Sequence, residues 1–409
     1  MYMTRKVVRM TRINVTEMTR INSKGNDRRK QMEGQFQQEG QFQQNVNPYA
    51  PQQPGYQPQP GYQPQPGYQP QGAGQPVLQE NYRKPMRKAY CRVEWKIFVY
   101  AVIAVASQIL YARALPALFG DEIQYAEWYT WGMMIIPMYM IAFPILYFAL
   151  GGKKDRVKIM QHKMGFGKWL IAALMCAGIC AVGIVIGTIL DTVISLFTQS
   201  SSTDAVTLQN LMLNSNPIYR ILTVGILAPM VEEMIFRKFI IDRTVKYGEG
   251  MAVLTSGLMF GLFHGNFSQC FFAAGLGMLF AYIYIRTGRI RYTIFLHMAV
   301  NLTTSIGSVG ILQWVGYDEL LSAETSGNLE ALMGDMLPKL IVLYAWLGLL
   351  CCLAIAGIVL LIVALAKKKF FLVKPPKYVA KGKFAAAWIN WGMLLFMIYI
   401  LFIFITNYM

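Results

Sequence analysis

Apolar residues in this chain come in long runs separated by short charged stretches, a rhythm that predicts helices crossing a membrane. From Trp95 onward there are about nine such runs, several reaching the roughly 20 residues a spanning helix needs. They cover approximately 95–113, 131–150, 168–190, 218–241, 250–265, 270–285, 292–311, 339–366 and 384–406. The fifth and sixth are short enough to form a re-entrant pair instead. The expected fold class is all-α: a polytopic helical membrane bundle with a disordered N-terminal cytoplasmic tail.

Charge in the loops gives this bundle an orientation. Lys153, Lys154, Arg156, Lys158, Lys163 and Lys168 fill one loop, and Arg243 with Lys246 the next but one. Arg286, Arg289 and Arg291, then Lys367, Lys368, Lys369, Lys374 and Lys377, continue the alternation. Between them lie Asp121, Glu122 and Glu127, then Asp191 and Asp204, then Asp318, Glu319, Glu324, Glu330 and Asp335. The excess of lysine and arginine on cytoplasmic loops predicts an N-terminus inside and a C-terminus outside.

Residues 1–90 follow another pattern. MTRIN occurs at 10–14 and 18–22, EGQFQQ runs twice over 33–44, and PGYQPQ three times over 54–71. Such Gln, Pro, Gly and Tyr density buries too little apolar surface to offset ordering entropy, so a solvated tail is expected. Within the PGYQPQ repeats the prolines are spaced two or four apart and so form no PxxP ligand, and the repeats point to no particular partner. Arg83, Lys84, Arg87, Lys88 and Arg92 precede the first span and suit anionic headgroups.

Composition narrows the class. Hydrophobic residues make up 55% and charged residues 14%, against about 25% charged in a soluble domain. The net charge of +17 sits in the tail and alternate loops, which argues for membrane lipids as partners and against nucleic acid. With no signal peptide read at the start, the first span is expected to act as an uncleaved anchor, which suits a bacterial plasma membrane. The cysteines Cys91, Cys176, Cys180, Cys270, Cys351 and Cys352 have no zinc spacing, and no disulfide is assigned.

Against that background the run 218–241 stands out, because it carries Glu232, Glu233 and Arg237. Charge at membrane depth costs several kcal/mol or more unless paired or wet, and so marks function by default. Glu233 and Arg237 stand at i and i+4 and can form an ion pair along one helix face. Glu232 points about 100° away, free to act as a general base, a task suited to a carboxylate in low dielectric. A structural salt bridge locking two helices is the plain alternative. Two of the three histidines also fall in apolar runs. FGLFHGNF sets Phe260 and His264 at i and i+4, and His264 should reach the depth of Glu232. HMAVN sets His297 and Asn301 on one face, able to donate to an oxyanion or to supply one metal ligand with an orienting partner. An interhelical polar clamp is the alternative there. His162, in a basic loop, is expected to be solvated or headgroup-facing.

EExxxR, FxxxH and HxxxN, in this order on separate spans, resemble the motif set of the CAAX-protease and bacteriocin-processing family of intramembrane endopeptidases, which includes the type II CAAX prenyl endopeptidase. Phe236, just before the arginine, agrees with the family habit, and no motif position departs from it. The resemblance covers roughly residues 215–310. It implies a catalytic core there, between N-terminal transmembrane helices over 91–214 and an acidic extracytoplasmic loop with C-terminal helices over 311–409. It also implies an endopeptidase acting on a peptide or membrane-protein substrate, with Glu232, Glu233, Arg237, His264, His297 and Asn301 as site residues and Phe260 as packing. In one mechanism Glu232 and His264 activate water while His297 and Asn301 stabilise the oxyanion, with no metal. In the other, His264 and His297, with or without a glutamate, hold a divalent metal such as zinc. A non-catalytic scaffold or bacteriocin-immunity protein using the same cluster is the rival reading. A transporter is a second rival, although no inverted repeat is visible.

Overall fold

The computed structural model describes residues 83–152, 155–198, 210–327, 334, 336–373 and 382–409. The repeats of the tail lie outside the described residues, as do Lys153, Lys154, Asp204, Glu330, Asp335, Lys374, Lys377 and the side chain of Glu324. Everything described is helix, turn or irregular chain, with no strand among the described residues.

The principal helices are α1 (Arg83–Phe119), α2 (Glu127–Leu150), α3 (Phe166–Thr198), α4 (217–244), α5 (Glu249–Leu262), α6 (Phe267–Thr287) and α7 (Ile290–Val315). They are followed by α8 (Tyr317–Ser326), α9 (Leu337–Ala366), α10 (Lys383–Trp388) and α11 (Trp391–Tyr408). Seven of them, α1, α2, α3, α6, α7, α9 and α11, are long and apolar enough to cross a membrane. The other two expected spans are also helical but differ in kind. α4 carries the charges of its motif, and α5 has only 14 residues.

Two boundaries shift for local reasons. Residues 83–90, expected in the tail, form the first turns of α1, because Met86 and Tyr90 pack on Tyr247, Met251, Ala386 and Ala387. The basic residues Arg83, Lys84, Arg87 and Lys88 stay exposed on the other face. The last expected span, 384–406, is broken after Trp388, and Asn390 starts α11 by accepting the Met393 N–H at 3.1 Å. His162, expected in solvent, is half-buried, and its backbone N–H donates to Thr287 O at 2.8 Å.

The packing is inverted relative to a soluble protein. Outward faces are apolar, as on α9, where Ile341, Tyr344, Ile355, Ile362 and Leu365 are exposed. Glu94, Glu233, Arg237 and His297 are buried. A surface of that kind is stable in lipid and aggregation-prone in water. One hydrophobic core joins α1, α2, α4, α5 and α11 through Ile97, Tyr100, Tyr139, Phe236, Phe260 and Phe396. A second joins α3, α6, α7 and α9 around Cys176, Phe280, Leu296 and Ala364.

α5 and α6 form a tight antiparallel pair. Gly257 and Gly277 face each other at the crossing, where a Cβ on either would overlap the opposite helix. Small residues allow such close backbone approach within membranes, and this pair brings Phe260 and Phe280 together. Gly257→Val is expected to cost about 1–3 kcal/mol through overpacking. It should lower the unfolding midpoint of the purified protein in detergent, whereas an unchanged midpoint would mean the helices part freely there.

Candidate active site

The site begins on α4, which alternates α turns with wider π turns. Ala228–Glu233 is α-helical and Met234–Ile241 is π-helical, so the carboxylates sit at a change of helical pitch. Such widened turns recur at functional sites. Arg237 Nε lies 3.0 Å from Glu233 Oε2, and both side chains are wholly buried. The guanidinium is sandwiched between aromatic rings, 4.9 Å from the centroid of Phe260 and 5.5 Å from that of Phe280. A planar, weakly hydrated cation suits this slot, because ring faces supply part of the stabilisation that water would give.

His297 on α7 joins the pair from the other side. Its Nδ1 lies 3.2 Å from Glu233 Oε1, and its Nε2 lies 3.7 Å from Glu232 Oε2. Against a carboxylate acceptor Nδ1 carries the proton, so in the neutral ring Nε2 presents a lone pair towards Glu232. The two adjacent glutamates thus occupy different environments. Glu233 is enclosed by Arg237 and His297, whereas the Glu232 side chain keeps 23% of its surface accessible.

His264 lies just past the end of α5, in the turn to α6, and not on the helix itself. Gly265, with φ +72°, ends the helical path there. The imidazole Nδ1 lies 2.9 Å from Phe260 O. A carbonyl can only accept, so Nδ1 is protonated and Nε2 is bare. The Phe260 ring contacts both histidines at near right angles, with centroids 5.1 Å from His264 and 5.6 Å from His297. Asn301, one turn beyond His297, donates from Nδ2 to Val224 O at 2.9 Å and so ties α7 to α4. Its second N–H and its carbonyl oxygen remain available.

Glu232, Glu233, Arg237 and His297 therefore form one connected network, which His264 meets through Phe260 and Asn301 from the next turn. Four further residues belong to it that sequence reasoning missed. Thr293 is fully buried one turn before His297 and interacts with the Glu233 carboxylate. The spacing of Thr293, His297 and Asn301 by four made it visible in principle. Phe280 supplies the second ring on Arg237, and Tyr100 and Tyr139 lie within electrostatic reach of Glu232. Those three come from other helices, and nothing local marks them.

A metal centre held by His264 and His297 does not fit this arrangement. No group of three or more His, Cys, Asp or Glu side chains comes together as ligands among the described residues.

Residues 214–303, the stretch holding all of these motifs, match the family described as type II CAAX prenyl endopeptidase Rce1-like. Over that segment the chain is similar to the CAAX-protease family that its motifs resemble. Over 82 residues it is 35% identical to the "Putative membrane peptidase YdiL" of Bacillus subtilis (strain 168), covering 20% of this chain and 34% of that protein. Over 119 residues it is 31% identical to the "Membrane-embedded CAAX protease MroQ" of Staphylococcus aureus (strain USA300), covering 27% of this chain and 46% of that one. The chain thus spans less than half the length of these curated relatives. No solved structure matches it.

The buried pair should behave as a unit. Arg237→Met leaves the Glu233 charge unpaired and is expected to cost about 3–5 kcal/mol. Adding Glu233→Leu to Arg237→Met should restore part of that loss. Denaturant titration in micelles measures both, and a double variant no better than the single one would refute the pairing.

Proposed function

We propose that this chain is an intramembrane endopeptidase that hydrolyses a peptide bond of a membrane-associated protein or peptide. The observation that carries the proposal is the split between the two glutamates: Glu233 is fully buried and bound, and Glu232 is accessible beside a histidine. A structural ion pair needs Glu233 and Arg237. It gives no reason to keep a second, accessible carboxylate next to them.

In this reading Glu232 is the general base, with the bare Nε2 of His264 as a second acceptor for the attacking water. The water oxygen bonds to the scissile carbonyl carbon while its proton passes to Glu232. Charge then develops on the carbonyl oxygen, where His297 and the free N–H of Asn301 serve as donors. His297 donates from Nε2 in its doubly protonated form, with Nδ1 facing Glu233 Oε1. When the C–N bond breaks, the proton held by Glu232 moves to the leaving amine, which balances the reaction without a metal. Thr293 and Arg237 orient Glu233, and through it His297.

Mass spectrometry of new peptide termini, in membranes carrying wild type or Glu232→Gln, tests this. Termini found only with wild type are expected, because the substitution keeps shape and removes the base. Identical profiles, with both proteins stably inserted, would favour the scaffold or immunity role.

The alternation of basic and acidic loops supports an N-terminus in the cytoplasm, a C-terminus outside and residence in a bacterial plasma membrane. Alkaline phosphatase fused after Met409 should accordingly be active, and an inactive but stable fusion would reverse the orientation. Because α4 and α5 are adjacent, the outcome is the same whether both cross or neither does.

A further inference from the structure

The turn that carries His264 is held from outside the family-matched segment. Just after His264, Asn407 of α11 donates from Nδ2 to Gly265 O at 2.9 Å, and Asn407 is only 4% exposed. α11 lies so close that a methyl group on Gly265 would collide with Ile403. On the C-terminal flank, Tyr408 Oη accepts the Phe267 N–H at 3.1 Å and donates to Asp191 of α3. The other carboxylate oxygen of Asp191 accepts the Ser268 hydroxyl. The Phe267 ring packs on Phe404 at 4.7 Å and on Tyr408 at 5.6 Å. α3 and α11, far apart in the chain, thus converge within a few residues of His264.

We infer that Asn407, Tyr408 and Asp191 form a clamp that positions His264, making the C-terminal helix a working part of the active site. The inference rests on the proposed role of His264 in activating water. Two alternatives compete with it. Polar contacts at a helix end can simply join helices, each at modest strength. An aspartate in an apolar helix can also be an ion-pathway residue. Both Asp191 oxygens, however, are taken by Tyr408 and Ser268, which suits an anchor better than a pathway. The bonds fall on Gly265, which follows His264, and on Phe267 and Ser268 in the first turn of α6. Within the turn the His264 ring bonds to Phe260 O, its backbone N–H donates to Gly261 O at 3.2 Å, and its carbonyl accepts from Asn266 Nδ2 at 2.9 Å. Its bare Nε2 therefore points wherever the backbone of 263–266 places it. Displacing a catalytic group by about 1 Å can cost on the order of a hundredfold in rate, so the clamp would act on turnover through geometry alone.

The test uses the full chain in detergent micelles with ¹⁵N-labelled histidine, whose three residues give separable ring signals. His264→Gln assigns one of them. Asn407→Leu keeps volume and removes the donor, and Tyr408→Phe removes a single oxygen. In both variants the His264 ring signals should shift or split between tautomers, while those of His297 and His162 stay in place. Termini specific to wild type should fall by about tenfold or more. Unmoved His264 signals in both variants, or equal movement of His297, would overturn the clamp. Should Asn407→Leu lose the fold, seen as loss of the His297 signal, Tyr408→Phe decides alone by the same criteria. The histidine spectra do not depend on cleavage. If wild type and Glu232→Gln give the same termini, the proteolysis reading fails and the spectra still decide the clamp. If Glu232→Gln abolishes cleavage while both clamp variants cleave normally with unmoved His264, the clamp fails and proteolysis stands.

Discussion

One ion pair, Glu233 with Arg237, organises the centre of this bundle. Each charge removed from water costs several kcal/mol even after relaxation, and attraction alone repays that only in good geometry. Here the repayment comes from four helices at once. α4 supplies both charges at 3.0 Å, α5 and α6 close on the guanidinium with Phe260 and Phe280, and α7 brings His297 to the second carboxylate oxygen. Moving any of these helices would expose an unpaired charge to lipid. Their mutual placement is therefore tightly constrained, and the chemistry next to the pair inherits that rigidity.

Rigidity lets two neighbouring carboxylates do different things. On a solvated helix Glu232 and Glu233 would be equivalent. In this bundle one is sealed and committed, and the other keeps part of its surface accessible, with a histidine nitrogen 3.7 Å away. Phe260 ties the two functions together, since the same residue covers Arg237, contacts both histidines and lends its carbonyl to His264. His264 itself is not on a helix. Its turn takes its position from Phe260 on one side and from α3 and α11 on the other.

How legible this was depends on where each partner lies in the chain. Apolar run length marked every membrane-length helix, because hydrocarbon thickness sets a length that composition must meet; it did not mark α8, which lies in the acidic loop. It misplaced ends governed by a few side chains, such as Met86 and Tyr90 at the start of α1 and Asn390 before α11. It also could not distinguish α5 from a full span. Within single helices, spacing by four correctly indicated that Glu233 and Arg237 pair and that Phe260 meets His264. The same rule would have found Thr293, had it been extended one turn back from His297.

The sequence by itself determined a helical membrane protein, the positions of its polar residues and their motif order, since hydrophobic length and i to i+4 contacts are local properties. Only the tertiary structure decided which glutamate is sealed, that Phe280 completes the arginine sandwich, that Phe260 meets both histidines and that α3 and α11 contact the His264 turn. Those outcomes depend on which helices lie side by side and how closely they cross. Packing of small and aromatic residues fixes that between segments up to some two hundred residues apart, and no local pattern encodes it.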